Sequence, residues 1–263
     1  APILAARALR ESMSKVRFGG AIMLTTHEYR DLVPDGVVFC AIEFIDSIEK
    51  YSHIVLRGLL PHLATEYLLL IQWDGYVVNP SAWRQTFLEY DYIGAVWPKY
   101  KDGLNVGNGG FSLRSRKLLQ ALMDDSLVIS NPEDACICRI NRPVLEDKFG
   151  LNFAPTHVAR HFSVEHEGVA GDSFGFHGLF CFDSLLVDEE LNEVLELMPV
   201  SMKAGADVRK LCKKLLQRPT RKRFDMVASL VSDLPSSAQR VSGWKSIKRR
   251  LAMRRFLFDK LGV

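Results

Sequence analysis

The sequence contains no apolar run near the ~18 residues that a membrane span requires; its longest candidates are Val37–Ile42 and Tyr67–Ile71. A soluble or peripheral chain is therefore expected. Disulfide spacing is also missing. Five cysteines, Cys40, Cys136, Cys138, Cys181 and Cys212, form an odd set, which favours reduced thiols and a cytoplasmic compartment. Cys136-Ile-Cys138 lacks the two-residue gap of common zinc pairs and reads as ordinary buried thiol. There is no initial Met, and no charged segment leads into an apolar one, so no secretory signal is visible, whether never present or removed. Repeats, low-complexity tracts and histidines at metal-binding spacing are absent. The one glycine-rich stretch has neither the P-loop nor the dinucleotide spacing.

What is present suffices for a core. At 263 residues and 48% apolar content, the chain can build one large domain or two small ones. The net charge of +3 conceals a division: residues 1–202 carry 17 basic and 27 acidic side chains, whereas residues 203–263 carry 17 and 4. So basic a tail points either to an anionic partner or to a helical face packed on the acidic body.

Helical spacing of apolar residues covers Ile3–Met13, followed by a short strand over Ala21–Thr25. Turn chemistry at Pro34-Asp35-Gly36 precedes a buried strand, Val37–Phe44, and a helix, Ser47–Leu63. Tyr67–Gln72 reads as a third strand, buried on both faces because its apolar residues are continuous. A helix over Ala82–Tyr90, a strand over Tyr92–Trp97 and a helix over Ser115–Leu122 continue the pattern. This alternation predicts an α/β fold with a mostly parallel sheet flanked by helices. Phe153–Glu165 reads as a short structured connection, and beyond Phe182 the chain becomes helical and basic. The expected division is 1–182 and 183–263.

Four places carry candidate chemistry. Gln72-Trp73-Asp74-Gly75 closes the third strand; ligands of open α/β sheets collect at strand carboxyl ends, so Asp74 is either a ligand-facing carboxylate or a turn former, with Gly75 allowing a sharp turn. In Gly107-Asn108-Gly109-Gly110, the glycines let backbone amides approach a ligand, or simply make a tight connection. Glu133-Asp134 opens a helical stretch, where acids also suit the helix dipole. His177, framed by Gly175, Phe176 and Gly178, is either ligand-facing or a hydrogen-bonded core histidine.

The series QWDGYVVNP, YDYIGAVWP, GNGGFSLRS, PEDA, FAP, FSVEHE and FGFHG resembles, over roughly residues 20–180, an uncharacterised domain family usually described as glycosyltransferase-like. It is similar to the core of GT-A-type (Rossmann-like) sugar-nucleotide transferases. The resemblance implies that Asp74 stands for the last acid of an Asp-x-Asp strand end, Gly107–Gly110 for the glycine loop, Glu133-Asp134 for the acidic motif, and His177 for the late histidine that helps hold a metal. Gln72 occupies the place of the first acid. GT-A folds carry a nucleotide-binding strand ahead of the first helix; here either that strand precedes Ala1 or the sheet is reduced.

From the resemblance follows a hexosyltransferase-like activity in carbohydrate biosynthesis, moving a sugar from a nucleotide-sugar donor to a glycan, lipid-linked or protein acceptor. Asp74 and His177 would hold Mn²⁺ or Mg²⁺; Gln72, Trp73, Asp74, Gly75, Asn108, Gly109 and Gly110 would bind the donor. Asp134, beside Glu133, would be the general base of an inverting displacement, and Trp73, Tyr76 and Trp97 would offer faces to a sugar ring. A non-catalytic sugar- or nucleotide-binding relative, or an adaptor using the basic tail on membrane or nucleic acid, are the other readings. Within 244–261, Trp244, Ile247, Leu251, Phe258 and Leu261 share one helical face flanked by Lys245, Lys248, Arg249, Arg250, Arg254 and Arg255. That pattern suits either peripheral binding to anionic lipid or docking on the protein.

Overall fold

The computed structural model describes residues 1–239 and 241–261, with the side chains of 239 and 254–261 set aside. It is α/β, and the chain forms two compact units, Pro2–His177 and Gly178–Val263.

In the first unit, α1 (Pro2–Lys15) buries Leu4, Ala6, Ala8 and Ser12. The strands β1 (Ile22–Thr25) and β2 (Val38–Ala41) pair in parallel. Next, α2 (Ile48–His53) starts at Ser47, whose side chain accepts from the Lys50 amide, satisfying one of the donors that a helix start leaves open. It widens into a π turn over Ile54–Gly58 and ends in a 3-10 turn, Leu60–His62.

β3 (Tyr67–Ile71) is followed by β4 (Tyr92–Ile93), β5 (Ala95–Val96), β6 (Val106–Gly107) and β7 (Phe111–Ser115). β7 lies between β3 and β4, antiparallel to both, while β5 and β6 form a separate antiparallel pair. After α3 (Arg116–Ala121) come α4 (Glu133–Ala135), running into a π turn at Cys136–Ile140, then α5 (Arg142–Phe149) and α6 (Thr156–Phe162). The parallel pair β8 (Ser163–Val164) and β9 (Gly175–Phe176) closes the unit.

The sheets are therefore small and mixed, where the alternation of elements suggested one mostly parallel sheet. The strand buried on both faces is β7, all five residues of which are buried; the five of β3 are half-buried. β3 is an edge. Its even-numbered residues bond toward β7, as the Gln72 amide to the Gly110 carbonyl (2.8 Å) and the Arg116 amide to the Glu66 carbonyl (2.8 Å) indicate. Strand backbones alternate, so Leu69 and Ile71 turn their N–H and C=O groups away from β7. On that side, consecutive residues of β1 and β3, with Ala5 and Leu9 of α1, line one apolar cavity.

Other differences have local causes. The expected helix over Ala82–Tyr90 is two 3-10 turns, Pro80–Ala82 and Gln85–Glu89, because Trp83 between them takes an extended backbone (φ −59°, ψ 134°). Its ring packs edge-on against Phe87 and Phe174. The run Tyr92–Trp97 changes partner at Gly94, from β7 to β6. The connection over 153–165 contains α6 and β8. Two apolar clusters, one including Leu118, Ile137 and Leu145 and the other Phe111, Phe162 and Phe174, form the core of this unit.

The second unit is helical: α7 (Phe182–Leu185), α8 (Asp188–Leu197), α9 (Val200–Lys203), α10 (Ala206–Leu215), α11 (Arg221–Ser232), α12 (Ser236–Gln239) and α13 (Ser242–Leu261). Leu191, Val208, Leu211, Phe224, Val227 and Leu230 are buried at helical spacing. Trp244, Ile247 and Leu251 of α13 are buried as well, and α13 packs on α10 and α11, so these three members of the apolar stripe are covered by their own unit. The side chains of Phe258, Leu261, Arg254 and Arg255 lie outside the described residues. Among the described residues no helix is long and apolar enough to cross a membrane.

Candidate functional site

Three strand ends of the first unit meet at one place. The β3–β7 ladder extends one pair further through Gln72 and Gly110, which brings Gln72-Trp73-Asp74 alongside the glycine loop. The β8–β9 pairing continues in the bond from the His177 amide to the Val164 carbonyl (2.9 Å), aligning His177 with the end of β8 and the adjacent Glu165. Gly75 is required by close approach rather than by an unusual φ, since a Cβ there would lie 2.7 Å from the Phe176 carbonyl oxygen.

His177 is the hub. Its Nε2 lies 3.1 Å from Gln72 Oε1 and 3.3 Å from Asp74 Oδ1, and its Nδ1 is 3.5 Å from Glu165 Oε1. Burial opposes the charged ring, yet Asp74 and Glu165 outweigh it and raise its pKa to about 10. Near neutral pH the ring is therefore an imidazolium held between two carboxylates. Glu165 is correspondingly lowered: its burial works in the other direction, but the bond and charge of His177 prevail. Asp74 is 6% exposed. Its Oδ1 sits at ion-pair distance from His177 without the alignment of a hydrogen bond, so a buried oxygen keeps unfilled acceptor capacity.

Asn108 holds the loop in place. It is 2% exposed, and among the described residues it is the one non-glycine with positive φ (69°), a conformation that asparagine tolerates better than most. Its side-chain oxygen accepts from the Gly110 amide (2.9 Å) and its nitrogen lies 3.0 Å from His177 Nδ1. The glycines serve packing inside the protein. A Cβ on Gly110 would fall 2.1 Å from His177 Nε2, and one on Gly109 would fall 1.9 Å from Glu133 Oε1. The loop is thus closely approached by the site's own side chains, which is the tight connection its composition allowed beside ligand binding.

The acids at the start of α4 have separate environments. Glu133 is 5% exposed and faces the fully buried Arg114 at 4.0 Å; burial raises its pKa, with Arg114 working against that. Half-buried Asp134 accepts the Gly109 amide at Oδ2 (3.4 Å) and the Ala135 amide at Oδ1 (2.7 Å). Trp73 is half-buried at the end of β3. Tyr76 and Trp97, expected to offer faces to a sugar, are core residues at 3% and 8% exposure. Tyr76 packs edge-on against Phe176 and Trp97 against Tyr100.

Three participants were not singled out from the sequence. Glu165 lay inside FSVEHE without a role. Arg114 alternates with Leu113 along β7, on the same face as Ser112, whose hydroxyl accepts its Nε–H (3.1 Å); this polar face within FSLRS was a readable signal. Tyr51 of α2, whose hydroxyl accepts from Gln72 Nε2, had no local signature. Burial, with Glu133 nearby, raises its phenol pKa.

Among the described residues no cluster of three His, Cys, Asp or Glu has metal-site geometry. Gln72 Oε1, Asp74 Oδ1 and His177 Nε2 nevertheless converge on the Nε2 proton. Two hard oxygens and an imidazole nitrogen suit Mn²⁺ or Mg²⁺, provided the ion displaces that proton.

Comparison with curated proteins and comparison with solved structures each give no match. A family model, described as "Protein of unknown function (DUF5672)", matches residues 36–177. That span is just over half of the chain, includes every residue of the cluster and ends on His177; the chain belongs to this family.

Proposed function

We propose that the chain is a glycosyltransferase with a GT-A-like first unit, moving a sugar from a nucleotide-sugar donor to a hydroxyl acceptor. The observation that carries the reading is the convergence of Gln72, Asp74 and His177 at strand ends, beside an Asp134 fixed by two backbone amides.

Asp134 is the general base. Its carboxylate takes the proton of the acceptor hydroxyl while that oxygen bonds to the anomeric carbon. The carbon–oxygen bond to the diphosphate breaks, and the nucleoside diphosphate leaves with the electron pair. A single displacement of this kind inverts the anomeric centre. The amides of Gly109 and Ala135 hold the carboxylate in one orientation, so little reorganisation accompanies proton transfer.

Charge decides the need for a cation. With His177 protonated, Asp74 and Glu165 leave one net negative charge, Asp134 adds a second, and Arg114 offsets Glu133. A diphosphate is repelled by such a field. A divalent cation, Mn²⁺ or Mg²⁺, would be held by Gln72, Asp74 and His177 and would supply positive charge to the leaving diphosphate. Binding it costs the His177 proton, so metal affinity should rise with pH.

A panel of nucleotide sugars, screened by thermal shift with and without Mn²⁺ and then for donor turnover, tests the proposal. Metal-dependent binding of one donor, with turnover, is the expected result. Binding without turnover would favour the non-catalytic relative. Donor binding unchanged in a chelator would remove the cation. In the second unit, the burial of Trp244, Ile247 and Leu251 makes exposed Lys245, Arg249 and Arg250 the groups available for an anionic surface.

A further inference from the structure

Two strand edges of the first unit open onto one cavity without pairing. The Val38 amide bonds the Ala21 carbonyl (2.8 Å) and the Ile42 amide the Thr25 carbonyl (3.0 Å), so the odd-numbered residues of β1 turn their backbone groups toward β2. Ile22 and Leu24 turn theirs away from it. Leu69 and Ile71 of β3 turn away from β7 in the same manner, and the space that both edges reach is the apolar cavity lined by residues 22–24 and 68–72. Among the described residues, Ile22, Leu24, Leu69 and Ile71 make no backbone hydrogen bond on that side.

The side chains show the same opening. Leu68 and Leu70 pack into one core cluster beside Tyr51, Leu60 and Leu63, while Leu69 and Ile71 pack into the other beside Val16 and Phe18. Both faces of β3 are therefore covered, yet all five of its residues are only half-buried and Ile22 is 36% exposed. Side chains that alternate between two covered faces share such exposure when it enters along the edge between them. The opening is a slot with a strand edge on each side and packed side chains on each face.

That geometry selects the occupant. Each edge offers a row of N–H and C=O groups at strand spacing, and an unpaired edge is a template for another strand. A lipid chain or a compact apolar ligand would fill the space but leave both rows unbonded, at about 1–3 kcal/mol for each group so buried. An extended polypeptide bonds both rows, because its own groups point alternately to its two sides. Among the described residues the lining holds no Lys, Arg, Asp or Glu; its polar members are Tyr51, His62 and Gln72. A strand seated there is apolar on both faces. Every strand among the described residues already has its place in a sheet, so the occupant comes from outside residues 1–263.

We propose that this slot takes an extended, apolar polypeptide strand of about five residues, the length of β3, which pairs with β1 on one side and β3 on the other and joins two sheets into one. β3 then becomes an interior strand. One end of the occupant lies beside Tyr51 and Gln72, which line the slot and bond one another at the strand-end cluster. Strand capture of this kind is independent of the transferase reading.

The test titrates the full chain with a peptide of five alternating valine and isoleucine residues flanked by paired lysines, and follows amide hydrogen exchange in proton–nitrogen correlation spectra. Exchange at Ile22, Leu24, Leu69 and Ile71 is expected to slow about tenfold or more, while Met23, Leu68 and Leu70, which already face β2 and β7, change little. A second measurement alters the peptide and leaves the protein intact. N-methylation of the odd-numbered residues of its apolar core removes the donors toward one edge, and of the even-numbered residues those toward the other; each should weaken binding roughly tenfold. Slowed exchange along one edge alone, at Phe39 and Ala41 on the outer edge of β2 instead, or nowhere, overturns the proposal. So does binding indifferent to either set of N-methyl groups, or equal binding of a peptide that alternates valine with lysine.

Discussion

The two units bury charge in different ways. The second pairs its shielded charges directly: Arg223 bonds Asp183 (2.8 Å) and Asp188 (2.7 Å), and buried Lys203 reaches Asp233 (2.8 Å). The first buries Asp74, Arg114 and Glu133 and wedges His177 between two carboxylates. Desolvating charges costs several kcal/mol each before pairing repays any of it. In the second unit direct pairing offsets that cost, whereas in the first Asp74 Oδ1 and both Arg114 Nη atoms are buried without a hydrogen bond. The difference teaches that the buried charges of the first unit are incompletely satisfied by the fold, and it directs attention to function there.

The sharpest way to break that comparison is Asp134→Asn. Transfer should fall by roughly 10²–10⁴-fold, the usual contribution of a general base, with donor affinity within a few-fold; activity assays beside calorimetric titration separate the two. Joint loss would make Asp134 a binding residue. The counterpart in the second unit is Trp244→Ala, which removes a fully buried ring and should destabilise that unit by about 3–5 kcal/mol. Denaturant unfolding measures it, and donor binding by the folded variant should be unchanged.

His177→Gln should cost about 3 kcal/mol, because two buried carboxylates lose their cation. Its pH dependence is specific. The fold raises the histidine pKa to about 10, so the stability it confers is complete below the ordinary value of about 6.5 and is lost as pH rises through 10. Wild type should therefore converge on His177→Gln between neutrality and pH 10. Glu165 is lowered, so its contribution is lost instead as pH falls below the ordinary glutamate range. Unfolding curves for both proteins across pH would show parallel lines if the pairing were unimportant. The smallest effect expected is that of Gly110→Ala, about 1–3 kcal/mol of overpacking, since the new methyl meets the His177 ring. A donor affinity that falls with it would tie the loop's packing to binding.

Much of this was written locally. Apolar periodicity located α1, the helical second unit and the strand Tyr67–Ile71, and Ser47 and Ser115 announced helix starts that their side chains cap. Each depends on neighbours a few residues apart, which is why a linear reading finds it. Candidate residues were legible in the same sense: an acid where a strand ends, glycines beside asparagine, a histidine among aromatics.

Their partners were not legible. His177 meets Gln72 and Asp74 from more than 100 residues away, and it also meets Glu165, and only the antiparallel placement of β7 between β3 and β4 brings the glycine loop beside them. The same placement made β7, not β3, the strand buried on both faces. Composition cannot distinguish a central strand from an edge, since both read as apolar runs. Nor does it show whether an aromatic such as Tyr76 faces a ligand or the core. Hydrophobic pattern and capping are properties of adjacent residues and belong to the sequence; strand order and the pairing of buried charges arise only when distant segments share one interior, and the tertiary structure alone decided them.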